Sequence, residues 1–209
     1  MVTVPGNRIQ AHFGRYTTEL YVVLAALSVG VFLGVLAVTT LSLADKLTLM
    51  AYVKRFVDMQ AMAPTYGKVF RPALIQNLKL LGMLYLLGVS VAGMPLVLAA
   101  VFFRGFVLGF ALDFLITALH GPGAILGILT VGLESVFLVP ALIIAAAVAL
   151  GFSWELISPS NRQKMPNLGK SFAYFTGLMM TMALVTVVGT FLEAYVAPLL
   201  IHLMSGLGA

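Results

Sequence analysis

From Leu20 to Leu43 the chain carries no charged side chain. A helix over that run would be about 36 Å long, more than the roughly 30 Å of hydrocarbon in a bilayer. Four further apolar runs follow. Leu80–Phe103 is also free of charge, Phe106–Leu119 holds only Asp113, Ala124–Phe152 holds only Glu134, and Ser171–Leu192 holds none. Charged residues make up 9% of the chain, against about 25% in ordinary soluble domains. A soluble core cannot hide that much apolar surface, so lipid is the solvent these runs are built for. The fold class is therefore all-α: a polytopic membrane bundle of about five transmembrane helices with one amphipathic interfacial helix.

The chain has no cysteine, which removes disulfides, thiolate chemistry and cysteine metal sites. The formal net charge of +5 reads as loop cations that meet the lipid bilayer and set topology, not as a nucleic-acid footprint. Leu20–Leu43 is too long for a signal-peptide core and has no clear cleavage site, so it is expected to be a retained first span.

The 209 residues divide as one membrane domain. Residues 1–19 form a cytoplasmic amphipathic segment and 20–43 the first span. Residues 44–78 form an external amphipathic loop whose apolar positions recur with helical period, and Pro72 suits the first turn of the helix that follows. Span 2 is expected over 79–103 and span 3 over 105–119, with the turn at Arg104-Gly105 because an arginine at mid-membrane is costly; Gly93-Met94-Pro95 is the competing position. Residues 124–152 read as a broken span 4, interrupted near Gly132 and Pro140. Span 5 covers 171–193, Pro198 stops or turns it, and 194–209 is an external tail. Trp154 suits an interfacial anchor. Counting basic residues beside the spans gives a narrow preference for the N-terminus inside.

The chemistry-bearing residues are few. There is no H-E-x-x-H, G-x-S-x-G, P-loop or dinucleotide fingerprint, so the protein is expected not to be an enzyme. Asp113, Glu134 and Glu193 stand in apolar surroundings, where a charge needs a reason. Three readings of them stay open: structural hydrogen-bonding groups, a proton or cation path, or metal ligands. In the last, Glu134, Glu193, His120 and His202 would hold zinc, with a chain reversal at Pro198 bringing Glu193 to His202. Arg104 could meet Asp113 only if the chain turned between them. Gly30-x-x-x-Gly34 is a close-approach motif, read either as packing inside the bundle or as a homodimer seam.

Several stretches resemble the stage II sporulation protein M family in order and spacing. Phe191-Leu192-Glu193-Ala194-Tyr195-Val196-Ala197-Pro198 is similar to its C-terminal apolar-Glu-Ala-Phe-apolar-small-Pro pattern. Asn77, followed by Gly88, Gly93 and Pro95, resembles its Asn-led second span with a Gly-x-Pro break. Arg104-Gly105-x-x-x-Gly109 and Val139-Pro140-Ala141-Leu142 occupy the places of its polar-Gly-x-x-x-Gly and Ile-Pro-Ala segments. The resemblance implies a multi-pass protein of the bacterial cell membrane, placed in the engulfing septal membrane of the mother cell during sporulation. It implies a non-enzymatic scaffold for two peptidoglycan-remodelling hydrolases, the stage II sporulation D and P proteins. The runner-up, from the residues alone, is an ion or metal conduit built on the three carboxylates.

Overall fold

The structure is a computed structural model that describes residues 16–62, 66–118, 122–157 and 168–207. These residues form helices only: α1 (Thr17–Thr40), α2 (Leu43–Met62), α3 (Tyr66–Val89), α4 (Gly93–Ala118), α5 (Pro122–Ile157) and α6 (Leu168–Leu207). Five segments are long and apolar enough to cross a membrane: Thr17–Thr40, Phe70–Val89, Gly93–Thr117, Ser135–Ile157 and Gly169–Leu192. The polytopic reading holds. The proposed N-terminal amphipathic segment lies almost wholly outside the described residues.

An inside-out pattern marks the solvent. Phe32, Leu86, Phe103 and Leu184 are all more than 60% exposed on the outer faces of the spans. In water such a collar would aggregate; in hydrocarbon it needs no cover. The interior is made largely by α5, whose run from Ala145 to Leu150 is buried throughout. Its alanines let α1, α3, α4 and α6 all approach, and α5 touches each of them. At one end of the bundle Phe175 is a wedge 1% exposed, stacked between Tyr85 (5.2 Å) and Phe152 (4.7 Å). Gly88 leaves the room for that ring, since a Cβ there would stand 2.9 Å from its tip. The Tyr85 hydroxyl shares a hydrogen bond with Thr176, 3.2 Å away, which ties α3 to α6 by a polar contact as well.

Three expectations are corrected. The turn between spans 2 and 3 lies at residues 90–92, not at Arg104-Gly105, and α4 runs unbroken through both residues. Its chemistry is local. The Ser90 carbonyl accepts the Gly93 N–H (3.0 Å) and the Ser153 hydroxyl (2.8 Å). A Cβ on Gly93 would collide with the Leu87 carbonyl oxygen, so only glycine fits. Pro95 then sits in the first turn of α4, where its missing N–H costs nothing. Second, α5 is a single helix of 36 residues with Pro140 inside it, not a broken span. Third, α6 continues for 40 residues across position 198, so Pro198 neither ends nor reverses it and most of the supposed tail is helical.

The second span also begins earlier than expected. Pro72 falls inside α3, beyond its first turn, and the amphipathic stretch is largely α2. A reciprocal cap opens α2: the Asp45 N–H donates to the Ser42 hydroxyl (3.2 Å), and that hydroxyl donates to the Asp45 carboxylate (2.6 Å). α2 touches α6 only lightly and leaves Leu43, Leu47 and Tyr52 more than half exposed, as an interfacial helix does.

Chain order fixes two faces of the bundle. The near face holds the start of α1, the 90–92 turn and the α5–α6 connection. The far face holds the end of α1, α2 and the α4–α5 connection.

Candidate functional site

The polar heart of the bundle lies between α3, α4, α5 and α6. Asn77 on α3 and Thr186 and Thr190 on α6 are the buried polar side chains there. Their bonds run in a chain. The Asn77 amide donates to the Thr190 hydroxyl (3.2 Å), which donates back to the Thr186 carbonyl (2.9 Å). A threonine satisfies itself this way inside a helix, leaving its lone pair free for a neighbour. Arg104 of α4 is half-buried and lines the same small cavity as Asn77 and Thr186, with Leu81, Leu138 and Leu142 as its apolar wall. That is why an arginine can stand in the middle of a span: it faces the bundle interior, where polar partners meet it, and not lipid. The cavity holds about 10 Å³, about the room of one water molecule.

Asp113 does not belong to this cluster. It follows Arg104 by nine residues on one unbroken helix, about 13 Å along the axis and roughly half a turn round it. The expected condition for their pairing, a turn between them, is not met. Asp113 lies instead one turn beyond Gly109, on the side of α4 that meets α1.

That α1–α4 seam is where the Gly30-x-x-x-Gly34 motif goes. A Cβ on Gly30 would strike the Phe102 carbonyl oxygen, and one on Gly34 the Phe106 carbonyl oxygen. From the other side, a Cβ on Gly105 would meet the Leu27 carbonyl and one on Gly109 the Val31 carbonyl. Two G-x-x-x-G motifs therefore face each other within one chain, on helices running in the same direction. Gly30 and Gly34 are both buried, so the homodimer-seam reading of these two residues is replaced by an intramolecular one.

The metal quartet falls partly on residues the structure leaves undescribed. His120 lies outside the described residues, as do the side chains of Glu134, Glu193 and His202. The backbone still constrains them. Glu193 and His202 are nine residues apart on uninterrupted α6, roughly half a turn apart round the helix, so the reversal that would have joined them is absent. Glu134 and Glu193 are different. Phe137 packs against Gly189, where a Cβ would come 2.7 Å from the phenylalanine Cβ. On antiparallel α5 and α6 that contact sets positions 134 and 193 at one level. Among the described residues no group of three His, Asp or Glu gathers in metal-binding fashion.

Sequence reasoning placed Asn77, Gly93, Arg104 and Gly105 as motif positions, and the structure gives each a contact; Pro95, also a motif position, opens α4 from its first turn. It missed Thr186 and Thr190. Their signal was a four-residue spacing of hydroxyls on an otherwise apolar span, which puts both on one helix face. Asn77→Ala is expected to lower thermal stability in detergent by on the order of 1 kcal/mol, the usual scale of an interhelical hydrogen bond in a membrane protein. Thermal unfolding of the purified variant checks it, and Thr190→Val should cost a similar amount but add little to Asn77→Ala.

Comparison with known proteins adds one finding. Residues 23–198 match the family model described as stage II sporulation protein M. The matched stretch spans the first helix to Pro198 and includes the whole polar cluster and both glycine motifs. Neither the curated proteins nor the solved structures give a significant match.

Proposed function

The chain belongs to the stage II sporulation protein M family, and we propose that it acts as a non-enzymatic membrane scaffold for peptidoglycan-remodelling hydrolases during engulfment. The partners in this reading are the stage II sporulation D and P proteins, a lytic transglycosylase and an amidase–endopeptidase, gathered at the engulfing septal membrane of the mother cell. The observation that carries it is the family match over most of the chain. Physical features support it. The polar interior is consumed by its own hydrogen bonds around a cavity of about 10 Å³, too small for a polymeric substrate. α5 and α6, of 36 and 40 residues, are each longer than one crossing of the hydrocarbon requires.

The test is capture from solubilised membranes of a sporulating host. The D and P proteins should be enriched with this protein over an unrelated five-span control. Equal recovery with the control would end the scaffold reading.

A conduit draws less support. Asp113 is on the α1–α4 side of α4, roughly half a turn from Arg104 and the polar cluster it lines. Flux into proteoliposomes equal to that of empty vesicles, with and without Glu193→Gln, is the expected result.

A further inference from the structure

A groove opens at the far face where α2 folds back over the ends of α1 and α4. Its volume is about 170 Å³. Its apolar lining is Val38 of α1, Phe114 of α4 and Leu43, Leu47 and Met50 of α2. Thr117 and Lys46 supply its polar atoms. α1 ends at Thr40 and α4 at Ala118, so the groove lies at the depth where acyl chains give way to headgroups.

We propose that this groove binds one anionic phospholipid, an acyl chain lying along the apolar wall and the phosphate meeting the Lys46 ammonium. Three observations select that occupant. First, the walls are aliphatic and aromatic with a single cation at the mouth, the layout of a hydrocarbon tail under a negative head. Second, the nearest acid in sequence is engaged elsewhere: the Asp45 carboxylate takes the Ser42 hydroxyl at 2.6 Å. No ion pair joins Lys46 to another described residue, and Asp113, one turn before Thr117, does not line the groove. Third, the segment from α2 into the start of α3 is cationic: Lys46, Lys54, Arg55, Lys68 and Arg71 stand against Asp45 and Asp58, and an anionic headgroup is the bilayer component complementary to that excess. The lipid would pin α2, which has little protein contact of its own, against the bundle.

The chain has one tryptophan, Trp154, on the near face. A Trp154→Phe, Met50→Trp protein therefore carries its only tryptophan in the groove, excited selectively over the seven tyrosines. In nanodiscs, brominated phosphatidylglycerol is expected to quench it at about fivefold lower mole fraction than brominated phosphatidylcholine, the effect of one lysine on an acidic lipid. Lys46→Gln should abolish that preference. Lys54→Gln, on the same helix but away from the groove, should keep it. Equal quenching by the two lipids, or a preference that survives Lys46→Gln, overturns the proposal. Native mass spectrometry of the unaltered chain reads the same point without engineered tryptophan. One phosphatidylglycerol should be retained over phosphatidylcholine and lost in Lys46→Gln; retention unchanged by that substitution would again count against it.

Discussion

Gly30→Val is expected to destabilise the protein strongly, while Gly82→Ala is expected to leave it unchanged or slightly firmer. Both residues are glycines inside apolar spans, and helix propensity alone favours replacing either, by up to about 1 kcal/mol. Surroundings reverse the sign at one of them. Nothing stands within 4 Å of a Cβ at Gly82, but a Cβ at Gly30 falls on the backbone oxygen of Phe102. Backbone cannot rotate away as a side chain can, so α1 must back off along the whole seam. Overpacking of this kind costs roughly 1–3 kcal/mol per site, and here the separation also loosens Gly34, Gly105 and Gly109. Thermal unfolding in detergent gives the ordering. Light scattering of the same samples separates the two meanings of the motif. An intramolecular seam predicts lost stability at unchanged mass; a dimer seam would show a halved mass with monomer stability intact.

The seam also shows what could be read from residues alone. Apolar run length gave five spans, because crossing hydrocarbon is a one-dimensional requirement that sequence satisfies openly. Gly30-x-x-x-Gly34 announced a close approach, and Arg104-Gly105-x-x-x-Gly109 contained its counterpart, but pairing the two needed the third dimension. A local cost misleads where its relief is tertiary. An arginine in lipid is expensive, which points to a turn at Arg104, but in the fold Arg104 lines a cavity with Asn77 and Thr186. The turn at 90–92 has a plain local mark in Gly93-Met94-Pro95. Pro140 and Pro198 look like breakers in the sequence, yet α5 and α6 continue across both. In a membrane the helix has no competing water to hydrogen-bond a freed carbonyl, and neighbouring helices and local adjustment absorb the lost bond. The carboxylate site was the least legible part. Glu134 and Glu193 become neighbours in level only through the Phe137–Gly189 contact, which no spacing along the chain encodes.

Arg104→Leu provides the second large effect, and its sign discriminates between two environments. On insertion scales an arginine at the centre of a span costs about 2.5–3.5 kcal/mol relative to an apolar residue. Were Arg104 turned to lipid, leucine would return that energy and the variant would gain stability. Its place beside Asn77, Thr186 and Leu138 gives the opposite expectation. Arg104 makes interactions within the fold, and removing one member of a buried polar arrangement leaves the others desolvated without a partner, at roughly 1–3 kcal/mol for each neutral polar group. Arg104→Leu should therefore unfold at lower temperature than the parent. Arg104→Lys should recover part of the loss, since it keeps the charge but not the planar fork of donors. A leucine variant as stable as the parent would mean that the arginine faces lipid or water. The same substitution probes the coupling of α4 to α6. If Arg104 and the Asn77–Thr190 bond act as one network, Arg104→Leu and Asn77→Ala together should cost less than the two losses added, because the first already frees the groups that the second disturbs.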